Sequence, residues 1–155
     1  VSSLKYFWQA RTPDSVGADL TRLAAHYLVA WHKTDFILVG YSFGADVAPF
    51  AANRLDAATR NALRSVALIG ASHAATFEFH VSDWLTDSGD GTPTKPEVER
   101  LSPLPITCIH GQEEDDSLCS DLRGPGVSNV QMDGGHHLGG AYALIAASIA
   151  RAPEG

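Results

Sequence analysis

The sequence predicts an α/β protein with a mostly parallel sheet flanked by helices, and three observations predict it. Short apolar runs of strand type alternate along the chain with segments of helical spacing, as they do in sheets that are covered on both faces. One apolar run ends in Gly-Tyr-Ser-Phe-Gly at residues 40–44, a pattern typical of a sharp turn between a strand and a helix. The 155 residues, 45% of them hydrophobic, are enough for one domain with one core.

Each element follows from the local pattern. Residues 4–8 are apolar and aromatic, which fits a strand end or a buried loop, and apolar residues then recur at helical spacing from Val16 to Trp31. Asp14 or Ser15 can cap this helix. The other predicted strands are residues 36–39, 65–69, 105–110 and 127–132, and the other predicted helices are residues 45–55, 57–63, 96–101 and 141–151.

The segment 73–101 departs from this regular alternation. It contains scattered aromatic residues and a turn-rich stretch at residues 87–93, and loops of this length in compact domains usually bind ligands or cover a site. We therefore expect residues 1–155 to form a single domain that carries an insertion at 73–101.

Composition excludes several classes of function. The formal net charge of −7 argues against direct nucleic-acid binding, which needs clustered Lys and Arg. No apolar run approaches the 18 residues of a membrane-spanning helix. No Cys/His group has zinc-binding spacing and no segment resembles a phosphate-binding loop, so we expect no metal and no cofactor.

The turn at residues 40–44 has the form of a nucleophile elbow, with Ser42 at its centre. The strained backbone of such a turn exposes the serine hydroxyl at the end of the sheet, and the backbone N–H of Phe43 points to where an oxyanion would form. Small residues are expected at Gly40 and Gly44, where the strand and the helix cross closely. The alternative interpretation is a glycine-rich turn with a structural serine.

Two further candidates for a catalytic triad follow later strands. The acidic run at residues 113–116 follows the strand 105–110, and His136 and His137 follow the strand 127–132. Reactive groups of a parallel sheet gather at the carboxyl ends of its strands, so these groups should meet Ser42. The chain order serine, acid, histidine is that of the α/β-hydrolase triad, in which a carboxylate orients the imidazole that deprotonates the serine.

The base and the acid each have two candidates. His136 is preferred over His137, because hydrolases of this class commonly place a glycine before the histidine and an apolar residue two places after it. Asp116 is preferred as the acid, because the Ser-Leu-Cys that follows it resembles the usual acid-x-x-apolar continuation. Glu114 is second, because it lies three residues after Gly111, which is a common offset for the acid. The alternative interpretation of the acidic run is a solvated loop. The remaining histidines are interpreted as structural or surface residues: His26, His32, His73, His80 and His110.

Cys108 and Cys119 are the only cysteines. A disulfide between them would brace the loop that carries the acid and would indicate an oxidising compartment such as a bacterial periplasm. Two buried free thiols are the alternative.

Several segments jointly resemble the VirJ/AcvB bacterial virulence protein family: residues 4–8, 11–13, 40–47, 77–81, 108–111, 116–119 and 134–137. The resemblance extends over essentially the whole chain. It implies a periplasmic protein with an α/β-hydrolase fold, with Ser42 as nucleophile and His136 as base, and the cysteine pair also matches the family.

For AcvB-type members the resemblance implies hydrolysis of the aminoacyl ester of lysyl-phosphatidylglycerol. The implied partner is then an aminoacylated phospholipid at the membrane surface, and Asp46 or Asp83 could pair with its lysyl ammonium group. VirJ-type members are linked to type IV secretion, which implies secretion components as further partners. Two other hypotheses are a non-catalytic binding module of a type IV secretion system and an acyltransferase.

One feature departs from a complete hydrolase of this fold. No HGGG-like segment, which would supply a second oxyanion donor, precedes Ser42. We therefore expect the domain to lack its N-terminal strands, and we expect one edge of the sheet to be exposed.

Overall fold

A computed structural model describes residues 11–77 and 91–151 of the chain. Its first helix, α1, spans Pro13–Ala30. The N-cap is Thr12 rather than Asp14 or Ser15: the Thr12 side chain accepts the backbone N–H of Ser15, and the Ser15 hydroxyl accepts that of Thr12. This reciprocal capping box satisfies two backbone donors at the helix start. The predicted strand end at residues 4–8 lies outside the described residues.

The other predicted strands and helices are present in the predicted order, together with two short strands within 73–101 that the sequence does not predict. They are, in order, β1 (Phe36–Tyr41), α2 (Phe43–Ala52), α3 (Ala57–Ala62), β2 (Leu63–Ile69), β3 (Ala74–Ala75), β4 (Thr92–Pro93), α4 (Lys95–Glu99), β5 (Ile106–Gly111), β6 (Val127–Met132) and α5 (Tyr142–Ala150), with short 3-10 helices at Leu118–Asp121 and Leu138–Gly140.

Four strands form one parallel sheet in the order β1-β2-β5-β6. The register aligns Val39 with Ala67, Ala67 with Thr107, and Ile109 with Val130. This arrangement confirms the predicted fold class. It also brings the carboxyl ends of β1, β5 and β6, and the loops that follow them, to the same edge of the sheet.

The two faces of the sheet are covered by different elements. On one face, Val66, Leu68 and Cys108 belong to a core cluster with the alanines of α2 and with Leu118. On the other face, Ile69 and Ile109 pack with Leu138 and with apolar residues of α5. Successive side chains of a strand point to opposite faces, so both faces of the two central strands are buried. The continuous apolar run 36–39 predicts the same for β1, and that prediction is wrong in the part of the chain that the structure describes, where Ile37 and Val39 are exposed.

The strand β1 forms one edge of the sheet. Within the described ranges it pairs only with β2, and residues Ile37, Val39 and Tyr41 are 39%, 47% and 47% exposed. The expected exposed edge is therefore found in the part of the chain that the structure describes. That the domain lacks strands stays a prediction.

The described ends of the segment 73–101 meet each other. Strands β3 and β4 form a two-stranded antiparallel pair, and α4 follows at once, with Glu97 and Val98 buried. The expectation that 73–101 is an insertion remains a prediction, because residues 78–90 lie outside the described ranges. Among the residues described, none of the helices has the length and apolarity needed to span a bilayer.

Candidate active site

The turn at Ser42 has the backbone expected of a nucleophile elbow. Ser42 adopts φ 52° and ψ −125°, a left-handed φ that non-glycine residues rarely adopt. Its backbone N–H donates to the carbonyl of Ile69 at 2.8 Å, so the neighbouring strand fixes the strained residue. Helix α2 starts at the next residue, Phe43, which places the backbone N–H of Phe43 at the N-terminal end of that helix.

The two glycines of the motif are not equivalent. A Cβ at Gly40 would collide with the carbonyl oxygen of Gly44 and would lie 2.7 Å from the Cα of Ala45, so the strand-to-helix crossing requires glycine there. A Cβ at Gly44 meets no described atom within 4 Å. The prediction of a close crossing is therefore right for Gly40 and wrong for Gly44.

The histidine that reaches the elbow is His136. Its Nε2 lies 2.8 Å from Ser42 Oγ, within hydrogen-bonding distance for a proton transfer. His137 does not face the serine: its Nδ1 lies 3.1 Å from the hydroxyl of Tyr41. The same Tyr41 hydroxyl donates to the backbone carbonyl of His136 at 3.3 Å. Tyr41, which the sequence analysis did not single out, thus connects the strand of the nucleophile with the loop of the base.

The carboxylate behind the imidazole belongs to Glu114. Its Oε1 lies 2.7 Å from His136 Nδ1, and its Oε2 accepts the backbone N–H of Gly111 at 2.7 Å. The Glu114 side chain is only 16% exposed. In the neutral imidazole whose proton is on Nδ1, that N–H donates to Glu114 and Nε2 is free to accept the hydroxyl proton of Ser42. This is the tautomer that general-base catalysis requires.

Asp116, the preferred acid in the sequence analysis, lies elsewhere. Its side chain is 93% exposed, and its Oδ1 lies 3.1 Å from Nε2 of His73. The reason is the tight turn after β5, in which the backbone N–H of Glu114 donates to the carbonyl of Gly111 at 3.1 Å. This turn directs the residue at position 114 toward the imidazole, so Glu114, the second choice, occupies the place expected of Asp116.

The wall beside the imidazole is formed by Gly70, which directly follows β2. Gly70 has a φ of +61°, and a Cβ there would lie 2.7 Å from Cε1 and 2.9 Å from Nδ1 of His136. The ring of His136 therefore needs a glycine at this position. The sequence predicts only the end of a strand at this position. Residues 70 and 136 come close together only because of the order of the strands in the sheet, which the local sequence does not contain.

A buried carboxylate lies one helical turn from the nucleophile. Asp46, in the first turn of α2, is 8% exposed, and its two oxygens accept the backbone N–H and the hydroxyl of Ser72 at 2.7 and 2.8 Å. Burial raises the pKa of the Asp46 carboxyl, against opposing effects of the Ser72 hydrogen bonds and of His136. These contacts argue against the expected pairing of Asp46 with a substrate ammonium group; the other candidate, Asp83, lies outside the described residues.

Cys108 and Cys119 form a disulfide, with their Cα atoms 5.4 Å apart. The alternative of two free thiols is therefore wrong. Cys108 lies in β5 and Cys119 in the 3-10 helix that follows the acidic run, so the bond closes the loop that contains Glu114.

Reduction of this disulfide is expected to destabilise the protein by roughly 2–4 kcal/mol, because closing a loop of this size restricts the unfolded chain by about that amount. The measurement compares the free energy of unfolding in urea with and without a reductant. A Cys108→Ala and Cys119→Ala double variant is the control, because its stability should not respond to the reductant. Equal stability of the oxidised and reduced protein would contradict the expectation.

An apolar groove of about 650 Å³ lies between α1, β1 and α2. Leu20 and Leu23 line it from α1, Val39 from β1, and Phe43 and Val47 from the start of α2. Phe43, one of its lining residues, directly follows Ser42 in the chain. Across residues 11–77 and 91–151, no group of three or more His, Cys, Asp or Glu side chains is arranged to hold a metal ion.

Comparison with known proteins decides the family. The family described as bacterial virulence protein (VirJ) matches residues 1–154 of this chain. The chain belongs to the VirJ family. The resemblance noted in the sequence is thereby confirmed. No curated protein matches this VirJ-family chain significantly.

Solved structures show that the VirJ-family chain has the α/β-hydrolase fold. It is similar to a protein from Xanthomonas campestris pv. campestris that is assigned to the α/β-hydrolase superfamily, with a TM-score of 0.54, 17% identity, and coverage of 88% of this chain and 67% of that one. For a mutant of the N-acyl homoserine lactonase AidH, complexed with N-hexanoyl homoserine, the TM-score is 0.59 and the identity 14%. That match covers 92% of this chain and 70% of the lactonase. For naproxen esterase from Bacillus subtilis the TM-score is 0.55 and the identity 14%, and the match covers 93% of this chain and 67% of the esterase. The chain thus spans about two thirds of the length of these proteins.

Proposed function

We propose that this VirJ-family chain is a serine hydrolase of carboxylic esters. The observation that carries the proposal is the hydrogen-bonded series Ser42–His136–Glu114, which begins at a serine in a strained elbow. These three residues come from loops after three different strands, and such convergence is the geometric requirement for nucleophilic catalysis by serine.

The reaction that we propose starts when Ser42 Oγ attacks the ester carbonyl carbon while its proton passes to Nε2 of His136. The Phe43 N–H donates to the oxyanion that forms. When the carbon–oxygen bond of the ester breaks, His136 returns the proton to the leaving alcohol and an acyl-serine remains. Water then attacks this acyl group, again with His136 as base, and the acid product leaves as the proton returns to Ser42.

For the substrate, we propose the aminoacyl ester of lysyl-phosphatidylglycerol, which would give lysine and phosphatidylglycerol. Membership of the VirJ family supports a bacterial virulence setting, and the apolar groove beside Phe43 offers room for an apolar part of an amphiphilic ester. The disulfide supports a location in the periplasm, because such bonds persist in oxidising compartments. Association with type IV secretion components is a further part of this proposal.

A fluorophosphonate probe tests the mechanism, because it reacts covalently with activated serine hydroxyls. The wild-type protein should be labelled, and Ser42→Ala should abolish labelling. Ser148→Ala is the matched control, because the Ser148 hydroxyl donates to the carbonyl of Leu144 within α5 and should not react. Equal labelling of wild type and Ser42→Ala would overturn the proposal.

Product analysis with vesicles that contain lysyl-phosphatidylglycerol tests the substrate. Release of free lysine that depends on Ser42 supports the hydrolase, whereas transfer of lysine to an added acceptor would indicate an acyltransferase. Labelling by the probe without any turnover, together with specific capture of secretion components, would instead favour the non-catalytic binding module.

A further inference from the structure

The buried carboxylate of Asp46 connects the elbow helix with the segment after β2. Asp46 belongs to the first turn of α2, where its backbone N–H donates to the carbonyl of Ser42 at 3.2 Å. Both of its carboxylate oxygens accept hydrogen bonds from Ser72. A carboxylate that is 8% exposed, and that is bound by the neutral donors of one serine, has a high cost of desolvation. A contribution to folding stability therefore does not by itself explain why a carboxylate occupies this position.

The segment that Asp46 holds, residues 70–72, contacts two members of the hydrogen-bonded series. Gly70 lies against the ring of His136, and a Cβ there would also approach Oε1 of Glu114 to 3.6 Å. The carbonyl of Ala71 accepts the backbone N–H of Leu118 at 3.0 Å, which ties the loop of Glu114 to the same segment. The Asp46–Ser72 contact therefore fixes the surface on which the imidazole rests.

The surroundings of His136 favour an ionised Asp46. The positive charge of a protonated His136 lowers the pKa of Asp46, against the larger effect of burial, which raises it. Among the described residues, Glu114 behind Nδ1, Tyr41 from β1 and the ring of His137 also lie near the imidazole. Glu113 directly precedes Glu114, and its Oε2 lies 3.7 Å from the position of a Cβ at Gly135.

We propose that Asp46 is a positioning residue for the ester hydrolysis: through its two hydrogen bonds to Ser72 it holds residues 70–72 against the ring of His136. This inference rests on the proposed function, since it concerns the base of that reaction. It assigns the first turn of α2 a role in addition to placing the nucleophile.

The cost of this arrangement should appear in the stability of the protein. Burial raises the pKa of Asp46 above its value of 3.8 in model compounds, so the stability contributed by its titration is full below about pH 3.8 and is lost as the pH rises through the folded-state pKa. Ionised Asp46 therefore costs stability at neutral pH.

The test compares Asp46→Ala with Asp46→Asn. Alanine removes both hydrogen bonds to Ser72, so kcat for p-nitrophenyl acetate should fall about 3- to 10-fold with little change in KM. The amide of Asp46→Asn is isosteric and can still accept the backbone N–H of Ser72 while it donates to the Ser72 hydroxyl, so it should restore kcat to within about twofold of wild type. Thermal unfolding at pH 7 should show Asp46→Asn to be at least as stable as wild type.

Two further variants serve as controls. Asp35→Ala removes an exposed carboxylate just before β1, at the opposite end of that strand from Ser42, and should leave kcat unchanged. Ser72→Ala removes one of the two hydrogen bonds of Asp46, so it should lower kcat less than Asp46→Ala does. It also serves as the test if Asp46→Ala does not fold.

The outcomes distinguish this inference from the proposed function. An unchanged kcat in folded Asp46→Ala would overturn the role of Asp46, while Ser42-dependent turnover by the wild type would leave the hydrolase assignment intact. An equal loss of kcat in Asp46→Ala and Asp46→Asn would show that the hydrogen bonds to Ser72 are not its cause and would also overturn the inference. If the wild type has no turnover, the proposed function fails, and the rate at which the fluorophosphonate probe labels Ser42 in the two Asp46 variants still decides whether Asp46 positions the base.

Discussion

Replacing His136 by alanine is expected to lower kcat for ester hydrolysis by about 10⁴- to 10⁶-fold. The reason is that Nε2 of His136 is placed 2.8 Å from Ser42 Oγ, and a serine hydroxyl without a base to take its proton is a poor nucleophile. Removal of the imidazole leaves the Phe43 N–H and substrate binding as the remaining sources of catalysis. The effect should appear in kcat rather than in KM, since the base acts on the transition state.

His137→Ala is the matched control for this prediction. The two histidines are adjacent in the chain and chemically identical, but the ring of His137 contacts the hydroxyl of Tyr41 instead of the serine. We expect the kcat of His137→Ala to stay within about tenfold of wild type, with a small loss because the loop of the base loses one contact. Steady-state kinetics and circular dichroism of both variants make the comparison. A larger loss in His137→Ala than in His136→Ala would contradict the assignment of the base.

Much of the fold could be predicted because its signals are local. The apolar residues of β2 and β5 reflect burial on both faces, and the pattern around Ser42 requires a strand before it and a helix after it. Even the choice of His136 over His137 depended on nearby residues. The helix cap was also a local feature, but Thr12, Asp14 and Ser15 all carry suitable oxygens, and only the backbone at Thr12 decides among them.

The acid could not be chosen in this way. Four consecutive carboxylates at residues 113–116 offer the same chemistry, and the correct one is set by the tight turn after β5, where the backbone N–H of Gly111 also binds Glu114. The roles of Gly70 and Asp46 depend on contacts between elements that are far apart in the chain. Such contacts follow from the order of the strands, which a pattern read along one strand does not contain.

Replacement of the carboxylate of Glu114 by an amide is therefore the second decisive experiment. Glu114→Gln is expected to lower kcat by about 10⁴-fold, the effect of the corresponding amide substitution in a serine protease triad. In the folded protein the Gln oxygen can still accept the backbone N–H of Gly111, but the amide N–H₂ then faces Nδ1 of His136. Nδ1 must become the acceptor, the ring proton moves to Nε2, and Nε2 loses its capacity to deprotonate Ser42.

Asp116→Asn provides the control that separates the two candidate acids. Asp116 is 93% exposed and lies beside His73 rather than His136, so its substitution should change kcat by less than about threefold. Both substitutions remove one negative charge from the same loop, so a difference between them cannot come from net charge. A large loss in Asp116→Asn with a small loss in Glu114→Gln would show that the loop rearranges during the reaction. A large loss in Glu114→Gln alone would show that the position of a carboxylate within the turn, and not the acidity of the segment, determines the tautomer of the base.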